Sequence, residues 1–189
     1  MRQAVAVEAV KDKQRLLAIV KAKSLLRGKF TLVSGAVSDY YLDMKPTTFD
    51  PEGAALVADM VFGLVKDDPA VVGVGGLELG AVPIIAAICA RSWPERPING
   101  FVVRKERKDH GTSKRIEGNF RANATVILID DVTTKGGSVM QAVHAVREQG
   151  ATVKTVITLV DRLEGAAENL RREGIELVPI FTTRDLLES

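Results

Sequence analysis

The sequence predicts an α/β protein built on a doubly wound, mostly parallel β-sheet. From about residue 70 onward, short apolar runs alternate with stretches of helical periodicity, as in chains that fold as successive βαβ units. The run 126–129, Val-Ile-Leu-Ile, is continuously apolar, which is typical of a strand that is covered on both faces of a parallel sheet. The length of 189 residues suits one compact domain.

The N-terminal quarter of the chain has a different pattern. Apolar residues at roughly helical spacing predict an amphipathic helix over 8–26 that closes at Gly28. Two short β-like runs at 30–35 and 40–44 predict a hairpin-like element after it. Asp50 and Pro51 then supply an N-cap and a proline at the first helical position, so a helix through about Leu64 should follow.

The rest of the chain is predicted to form the central sheet and its covering helices. We expect strands at 70–73, 98–103, 125–129 and 153–160, and helices at 81–91, 137–149 and 164–173. The sequence contains no internal repeat and no Ser/Pro-rich linker, which favours a single unit. In sheets of this kind, ligands bind beyond the carboxyl ends of the strands.

Composition excludes several classes of protein. With 26 Lys and Arg against 24 Asp and Glu, the net charge is only +2, so any anion-binding site must come from local clusters. The apolar runs fall short of the ~18 residues that span a bilayer, and Met1 is not followed by a signal-like segment. We therefore expect a cytoplasmic protein with no membrane and no nucleic-acid partner. The single cysteine, Cys89, lies in an apolar run and should be a buried, unreactive thiol.

The strongest motif is the segment 126–138, a buried strand that ends in Asp130 and Asp131 and turns through Thr and Gly residues into a helix. Such a turn directs backbone N–H groups and the positive end of the helix dipole toward one point, which suits a phosphate. The acid pair suits sugar hydroxyls, with a nearby Mg²⁺ relieving the mutual repulsion. Together they suggest a ribose phosphate, although a plain capping loop is the simpler alternative. A Walker A loop is excluded because Lys135 precedes the glycines.

This segment resembles the signature with which type I phosphoribosyltransferases bind 5-phosphoribosyl-1-pyrophosphate (PRPP). The resemblance implies a fold with a small N-terminal hood, formed by about 1–48 and the C-terminal end, over a core of about 50–162. It also implies that PRPP is bound by Asp130, Asp131, Val132, Thr133, Thr134, Lys135, Gly136, Gly137 and Ser138.

A second motif is the basic segment 104–115, which contains six Lys or Arg residues and one His. With almost no apolar anchor, it is expected to be a mobile loop, and a solvated or nucleic-acid-binding charge run is the simpler alternative. Its pattern Arg-Lys-x-x-Lys-x-His-Gly resembles the catalytic loop of orotate phosphoribosyltransferases. That resemblance implies pyrophosphate contacts by Arg104, Lys105, Lys108 and His110, and a loop that is largely contributed by the neighbouring subunit of a homodimer.

The segments 28–35 and 38–43 are similar to the hood elements of the same family. The resemblance gives Tyr41 and Leu42 the positions that face the orotate ring, and it assigns Arg162 and Thr134 to orotate. It also implies Mg²⁺ carried in on PRPP without direct protein ligands, and the products orotidine monophosphate and pyrophosphate in pyrimidine synthesis. Lys108, His110, Asp130 and Asp131 are the expected catalytic residues. The alternatives are a type I phosphoribosyltransferase for another base, and a regulator that binds PRPP without catalysis.

The chain departs from the family at several positions. Many members carry Lys where this chain has Val33, and some carry Lys where it has Leu79. Lys29 and Lys45 are the candidates to replace these cations. The sequence gives no role for Glu78, which is acidic in a glycine-rich turn that resembles the family's pyrophosphate loop.

Overall fold

The computed structural model describes residues 2–31, 35, 37–106 and 114–188, with the main chain alone for residues 2–9. Two sheets organise the chain. The N-terminal part contains helix α1 (Arg2–Lys23) and an antiparallel pair of strands, β1 (Leu25–Thr31) and β2 (Val37–Leu42). The short helix α2 (Lys45–Thr48) leads from this pair into α3 (Pro51–Val65). Asp50 caps α3 as predicted, since its carboxylate accepts from the N–H of Gly53 at 2.9 Å.

The second sheet has six strands in the order β5-β4-β3-β6-β7-β8, parallel except for the antiparallel pair β4 and β5. The prediction of a mostly parallel α/β sheet is therefore confirmed. The elements in chain order are β3 (Val71–Leu77), α4 (Ala81–Ser92), β4 (Asn99–Val103), β5 (Ile116–Gly118), β6 (Thr125–Thr133), α5 (Gly137–Arg147), β7 (Thr152–Asp161), α6 (Ala166–Arg172), β8 (Glu176–Thr182) and α7 (Thr183–Leu187).

The core lies on both faces of this sheet. One cluster packs α1, α3 and α4 against strand residues such as Ile127 and Ile129. The other packs α5 and α6 against alternate residues of the same strand, Val126 and Leu128. Because β6 is buried on both faces, it reads as an unbroken apolar run in the sequence.

The predicted N-terminal helix was wrong at its C-terminal end. The helix stops at Lys23, and residues 25–31 are a strand whose first residue, Leu25, pairs with Leu42 of β2. Gly28 is not a helix stop: it has φ +147° and lies where the register between β1 and β2 shifts. Pairing with β2 outweighed the helical periodicity of residues 25 and 26. That periodicity is a weak signal near the end of a helix. Strands β5 and β8 and helices α2 and α7 were not predicted.

The strand order reverses between β3 and β6. The chain proceeds from β3 outward to β4 and then returns to place β6 on the other side of β3. Helices that follow β3 and β6 therefore leave in opposite directions, and a crevice opens between the carboxyl ends of these two strands. The turn after β3 and the acid pair at the end of β6 meet there.

Cys89 lies in α4, half-buried, and burial raises the pKa of its thiol. A thiol with a raised pKa carries little thiolate at neutral pH, which supports the prediction of an unreactive side chain. Among the described residues, no helix is both long and apolar enough to cross a membrane.

Candidate active site

A cleft of about 270 Å³ occupies the crevice between the carboxyl ends of β3 and β6. Acids at the end of β6, one lysine from α2, one lysine that follows β4 and the first turn of α5 line its walls. The lining residues are Lys45, Leu77, Glu78, Leu79, Gly80, Lys105, Asp130, Asp131, Val132 and Ser138. Lys105, both acids, Val132 and Ser138 are among the site residues predicted from the sequence.

The acid pair is held in place by its own backbone. Asp130, 9% exposed, accepts from the N–H of Asp131 at 3.1 Å, and Asp131 accepts from the N–H of Val132 at 2.9 Å. Burial, together with the charge of Asp131, raises the pKa of Asp130 to about 7. Burial also raises the pKa of Asp131. The cleft therefore holds a carboxyl group, that of Asp130, which is partly protonated near neutral pH and ionises when hydroxyl donors or cations bind beside it.

The turn after β3 approaches this pair closely. A Cβ added to Gly80 would lie 2.5 Å from the carboxylate atoms of Asp131. Glycine is therefore the residue that this position requires, because any side chain would collide with the acid. The contact fixes the distance between the turn after β3 and the end of β6. The strand predicted at 70–73 continues to Leu77, so Gly75 and Gly76 lie in β3 and not in the turn.

The turn between β6 and α5 presents exposed backbone to the same opening. Thr134, Lys135, Gly137 and Ser138 are exposed, and Gly136 takes φ 83° as the N-cap of α5. The amide of Asn169 donates to the carbonyl of Lys135 at 2.9 Å and so ties the turn to α6. The first N–H groups of α5, which have no intrahelical acceptors, point out of the turn and can bind an anion.

Thr133 requires a correction. It was predicted among the residues that contact PRPP, but its side chain is 1% exposed and lies in the core. Its hydroxyl is 2.9 Å from that of Thr158 and 3.3 Å from a carboxylate oxygen of Asp130. Thr133 therefore supports the acid pair from below, and the exposed part of the turn begins at Thr134.

Lys45 is the candidate cation that reaches the cleft. Its Nζ lies 2.6 Å from an oxygen of Asp43, and this bond, with smaller contributions from the charges of Asp43 and Asp131, raises its pKa. Lys29, the other candidate, lies exposed on β1 and is not among the residues that line the cleft. The sequence left open whether Lys29 or Lys45 replaces the absent cations, and the position of Lys45 in the cleft favours Lys45.

The basic segment enters the cleft through its first residues. The N–H of Arg104 donates to the carbonyl of Arg115 at 2.9 Å, which joins the two ends of the segment. The Arg104 guanidinium lies 3.6 Å from Glu117 and 3.9 Å from Glu78. Lys108 and His110, the predicted catalytic residues of this segment, lie outside the described residues.

Arg162 lies directly beyond β7, beside the turn that follows β6. Its N–H donates to the carbonyl of Thr133 at 2.9 Å, so Arg162 and Thr134 start from neighbouring positions. The Arg162 guanidinium lies 5.0 Å from the ring centre of Tyr40, and its Nε lies 2.8 Å from Glu164. That Nε–H does not point at the carboxylate oxygen, so the contact is an ion pair without an aligned hydrogen bond.

The two tyrosines of β2 face opposite ways, as alternation along a strand requires. Tyr40 packs toward the core beneath Arg162, whereas Tyr41 is 42% exposed and lies 5.7 Å from the ring of Phe30. Leu42 was predicted to face the orotate ring together with Tyr41. It is instead 8% exposed and belongs to the hydrophobic core.

Curated proteins that are similar in sequence to this chain are all named for the same activity. No protein-family model matches the chain. The orotate phosphoribosyltransferase of a Bradyrhizobium species is 45% identical over 181 residues, which cover 93% of this chain and 97% of that protein. The chain belongs to the orotate phosphoribosyltransferase family. It is thus an enzyme of the pentosyltransferase class, as the two motifs predicted.

Solved structures of orotate phosphoribosyltransferases have the same architecture. The Mycobacterium tuberculosis enzyme in complex with Fe(III) dicitrate superposes with a TM-score of 0.82 at 39% identity, covering 93% of this chain and 98% of that one. The same enzyme in complex with PRPP gives a TM-score of 0.78 at 36% identity, again over 93% and 98% of the two chains. These similarities confirm the predicted type I phosphoribosyltransferase fold.

The described residues contain no group of three or more His, Cys, Asp or Glu side chains arranged to hold a metal ion. The acid pair nevertheless fits a cation that arrives with its own oxygen ligands, because two carboxylates with raised pKa values lie side by side in the cleft. Mg²⁺ carried by PRPP remains a prediction for this orotate phosphoribosyltransferase.

Proposed function

We propose that this chain transfers the phosphoribosyl group of PRPP to orotate in a Mg²⁺-dependent reaction that releases pyrophosphate and orotidine monophosphate. The observation that carries the proposal is the cleft at the strand-order reversal, where buried Asp130 and partly buried Asp131 face Lys45 and Lys105 beside the N-terminus of α5. Acids for a ribose, cations for a diphosphate and amides for a phosphate are the groups that PRPP needs. The reaction belongs to pyrimidine synthesis, and we expect it in the cytoplasm.

The 5′-phosphate is assigned to the exposed turn 134–138. Backbone N–H groups of Gly136, Gly137 and Ser138, with the hydroxyls of Thr134 and Ser138, supply donors without a positive side chain other than Lys135. Because these donors are fixed by the turn before the substrate arrives, binding the phosphate costs little ordering entropy. The bond from Asn169 to the Lys135 carbonyl supports the same turn.

The ribose hydroxyls are assigned to Asp130 and Asp131. Hydroxyl donors stabilise the ionised carboxylates, so binding should release the proton that Asp130, whose pKa is raised to about 7, retains near neutral pH. Mg²⁺ bound on PRPP would offset negative charge of the diphosphate and of the nearby acids. Thr133 and Thr158 keep the pair oriented from the core side.

The leaving diphosphate is assigned to Lys45, Arg104 and Lys105, with Lys108 and His110 completing the set. The ring nitrogen of orotate loses its proton and bonds to C1 of the ribose while the bond from C1 to the diphosphate oxygen breaks, so negative charge builds up on the leaving group. Cations at that position stabilise the charge that develops in the oxocarbenium-like transition state, so no covalent enzyme intermediate is needed. The structure supports this proposal through the two lysines that line the cleft.

Orotate is assigned to the mouth formed by Thr134, Arg162 and Tyr41. A planar guanidinium suits bidentate pairing with the orotate carboxylate, and the Tyr40 ring beneath Arg162 limits the directions in which it can point. Tyr41 presents an exposed aromatic ring near Lys45 of the cleft, where a flat pyrimidine can stack.

A homodimer with shared active sites completes the proposal. It rests on the resemblance of the basic segment to a loop that acts on the neighbouring subunit. Mixing the Lys108→Ala and Asp131→Asn variants tests it: each alone should be inactive, and the mixture should regain about a quarter of wild-type activity, because about half of the dimers are hybrids and each hybrid has one intact site of two. Failure to regain activity in hybrids that are shown to form would contradict the shared site.

The activity itself is tested by following the loss of orotate absorbance in the ultraviolet with PRPP and Mg²⁺. The expected result is consumption that requires all three components. Turnover with a purine or another pyrimidine, but not with orotate, would favour a different phosphoribosyltransferase. PRPP binding without consumption of any base would favour a regulator.

A further inference from the structure

Glu78 occupies an unexpected position for a carboxylate, at the wall of a cleft that is proposed to bind diphosphate. It directly follows β3, and its N–H donates to the carbonyl of Val103 at the end of β4 at 2.9 Å. Its side chain lines the same cleft as Asp130 and Asp131. A third acid at an anion site weakens anion binding unless its charge is used by the protein itself.

The two carboxylate oxygens of Glu78 contact different parts of the basic segment. Oε1 accepts from the backbone N–H of Lys105 at 3.0 Å, and Oε2 lies 3.9 Å from the guanidinium of Arg104. The first contact holds the main chain where it leaves β4. The second places a negative charge beside a cation that is proposed to contact diphosphate.

The Arg104 guanidinium is partly enclosed. Its side chain is 32% exposed, it also lies 3.6 Å from Glu117, and its Nε is buried with no hydrogen-bond partner among the described residues. The separation of 3.9 Å from Glu78 is too long for a hydrogen bond, so attraction of charge alone joins the two side chains. The Arg104 guanidinium can therefore exchange that carboxylate for a phosphate oxygen.

We propose that Glu78 is a positioning residue with two separable roles. One carboxylate oxygen anchors the backbone at Lys105. The negative charge of the carboxylate holds the Arg104 guanidinium until diphosphate replaces the carboxylate as the partner of Arg104. This inference rests on the proposed function, and it accounts for an acid that the sequence left without a role. The anchor needs only an acceptor oxygen, whereas the competition with diphosphate needs the negative charge.

The pair Glu78→Gln and Glu78→Ala separates the two roles. Glutamine keeps an acceptor for the Lys105 N–H and removes the charge, so pyrophosphate with Mg²⁺ should bind about two- to fivefold more tightly than to wild type, the range of a partly exposed ion pair. That gain should shrink as added salt screens the charges. Alanine also loses the anchor, and its kcat should fall about fivefold below that of the glutamine variant, the effect of one lost hydrogen bond.

Titration calorimetry with inorganic pyrophosphate measures binding without requiring turnover, and steady-state kinetics give kcat and KM. Glu173→Gln is the matched control, because Glu173 forms an ion pair with Arg147 at 3.3 Å outside the cleft and should change neither quantity. Weaker pyrophosphate binding by Glu78→Gln, or equal kcat values for the two Glu78 variants, would overturn the proposal. If the wild type failed to consume orotate, the proposed function would be rejected while calorimetry still decided the role of Glu78.

Discussion

The Asp130→Asn substitution tests the electrostatics of the acid pair through stability rather than activity. Asp130 is 9% exposed, and burial and Asp131 raise its pKa from 3.8 to about 7. The folded protein therefore binds this proton more strongly than the unfolded chain does. The stability that the neutral carboxyl provides is fully present below pH 3.8 and is lost as the pH rises through about 7.

The size of the effect follows from the two pKa values. Each pKa unit corresponds to about 1.4 kcal/mol, so ionisation of Asp130 should cost the wild type roughly 2–3 kcal/mol of unfolding free energy between pH 5 and pH 8. Asparagine has no such penalty, and its side-chain oxygen can still accept from the N–H of Asp131. Since about 2–4 °C corresponds to 1 kcal/mol in a domain of this size, the Tm difference between variant and wild type should grow by roughly 5–10 °C over that range.

Thermal unfolding followed by circular dichroism at several pH values measures the difference. Asp185→Asn is a suitable control, because the capping box that Asp185 forms with Thr182 lowers its pKa. The ionised Asp185 carboxylate stabilises the fold above the pKa that Asp185 has in the unfolded chain, and this stabilisation is lost as the pH falls through the lower pKa of the folded state. The Asp185→Asn variant should therefore be less stable than wild type at pH 8. A Tm difference for Asp130→Asn that stayed constant from pH 5 to pH 8 would refute the reasoning.

Three further substitutions test single contacts of the site. Lys45→Met should raise KM for PRPP about tenfold or more, the range of a lost bond to a charged group, whereas Lys29→Met should leave it unchanged in initial-rate assays. Arg162→Lys removes the planar guanidinium and should lower kcat/KM for orotate by an amount that corresponds to roughly 1–3 kcal/mol of transition-state stabilisation. Pyrophosphate binding should be retained in calorimetry, and equal losses for orotate and pyrophosphate would contradict a role of Arg162 at orotate alone. Gly80→Ala forces a methyl group against Asp131 and should cost about 1–3 kcal/mol in chemical denaturation, while Gly63→Ala, which meets no atom within 4 Å, should cost nothing.

Much of the fold could be predicted because its signals are local. The alternation of apolar runs with helical stretches identified the parallel sheet, and the Asp50-Pro51 pair identified the start of α3. The first two residues of the strand at 25–31 were mistaken for helix, since their conformation depends on pairing with β2 across the hairpin. Strand β8 is an edge strand with a partly exposed, irregular burial pattern, so its sequence lacks the alternation that identifies a strand.

The residues of the candidate site also differ in whether the sequence could predict them. Asp130, Asp131 and the turn 134–138 are contiguous, so the sequence itself indicated both their chemistry and their closeness. The supports of the site, Thr158 and Asn169, carry no signal of their own, because their contacts form between elements that are distant along the chain.

The sequence by itself determined the family, the sheet and the contiguous acid-and-phosphate motif, because a strand, its terminal acids and the following turn are fixed by neighbouring residues. Only the tertiary structure decided that Lys45 enters the cleft, that Thr133 turns inward, and that Glu78 bonds the backbone of Lys105. Those outcomes depend on which strand ends meet when the order of the sheet reverses, and on which side chains are buried there. Neither is encoded in any short stretch of the chain.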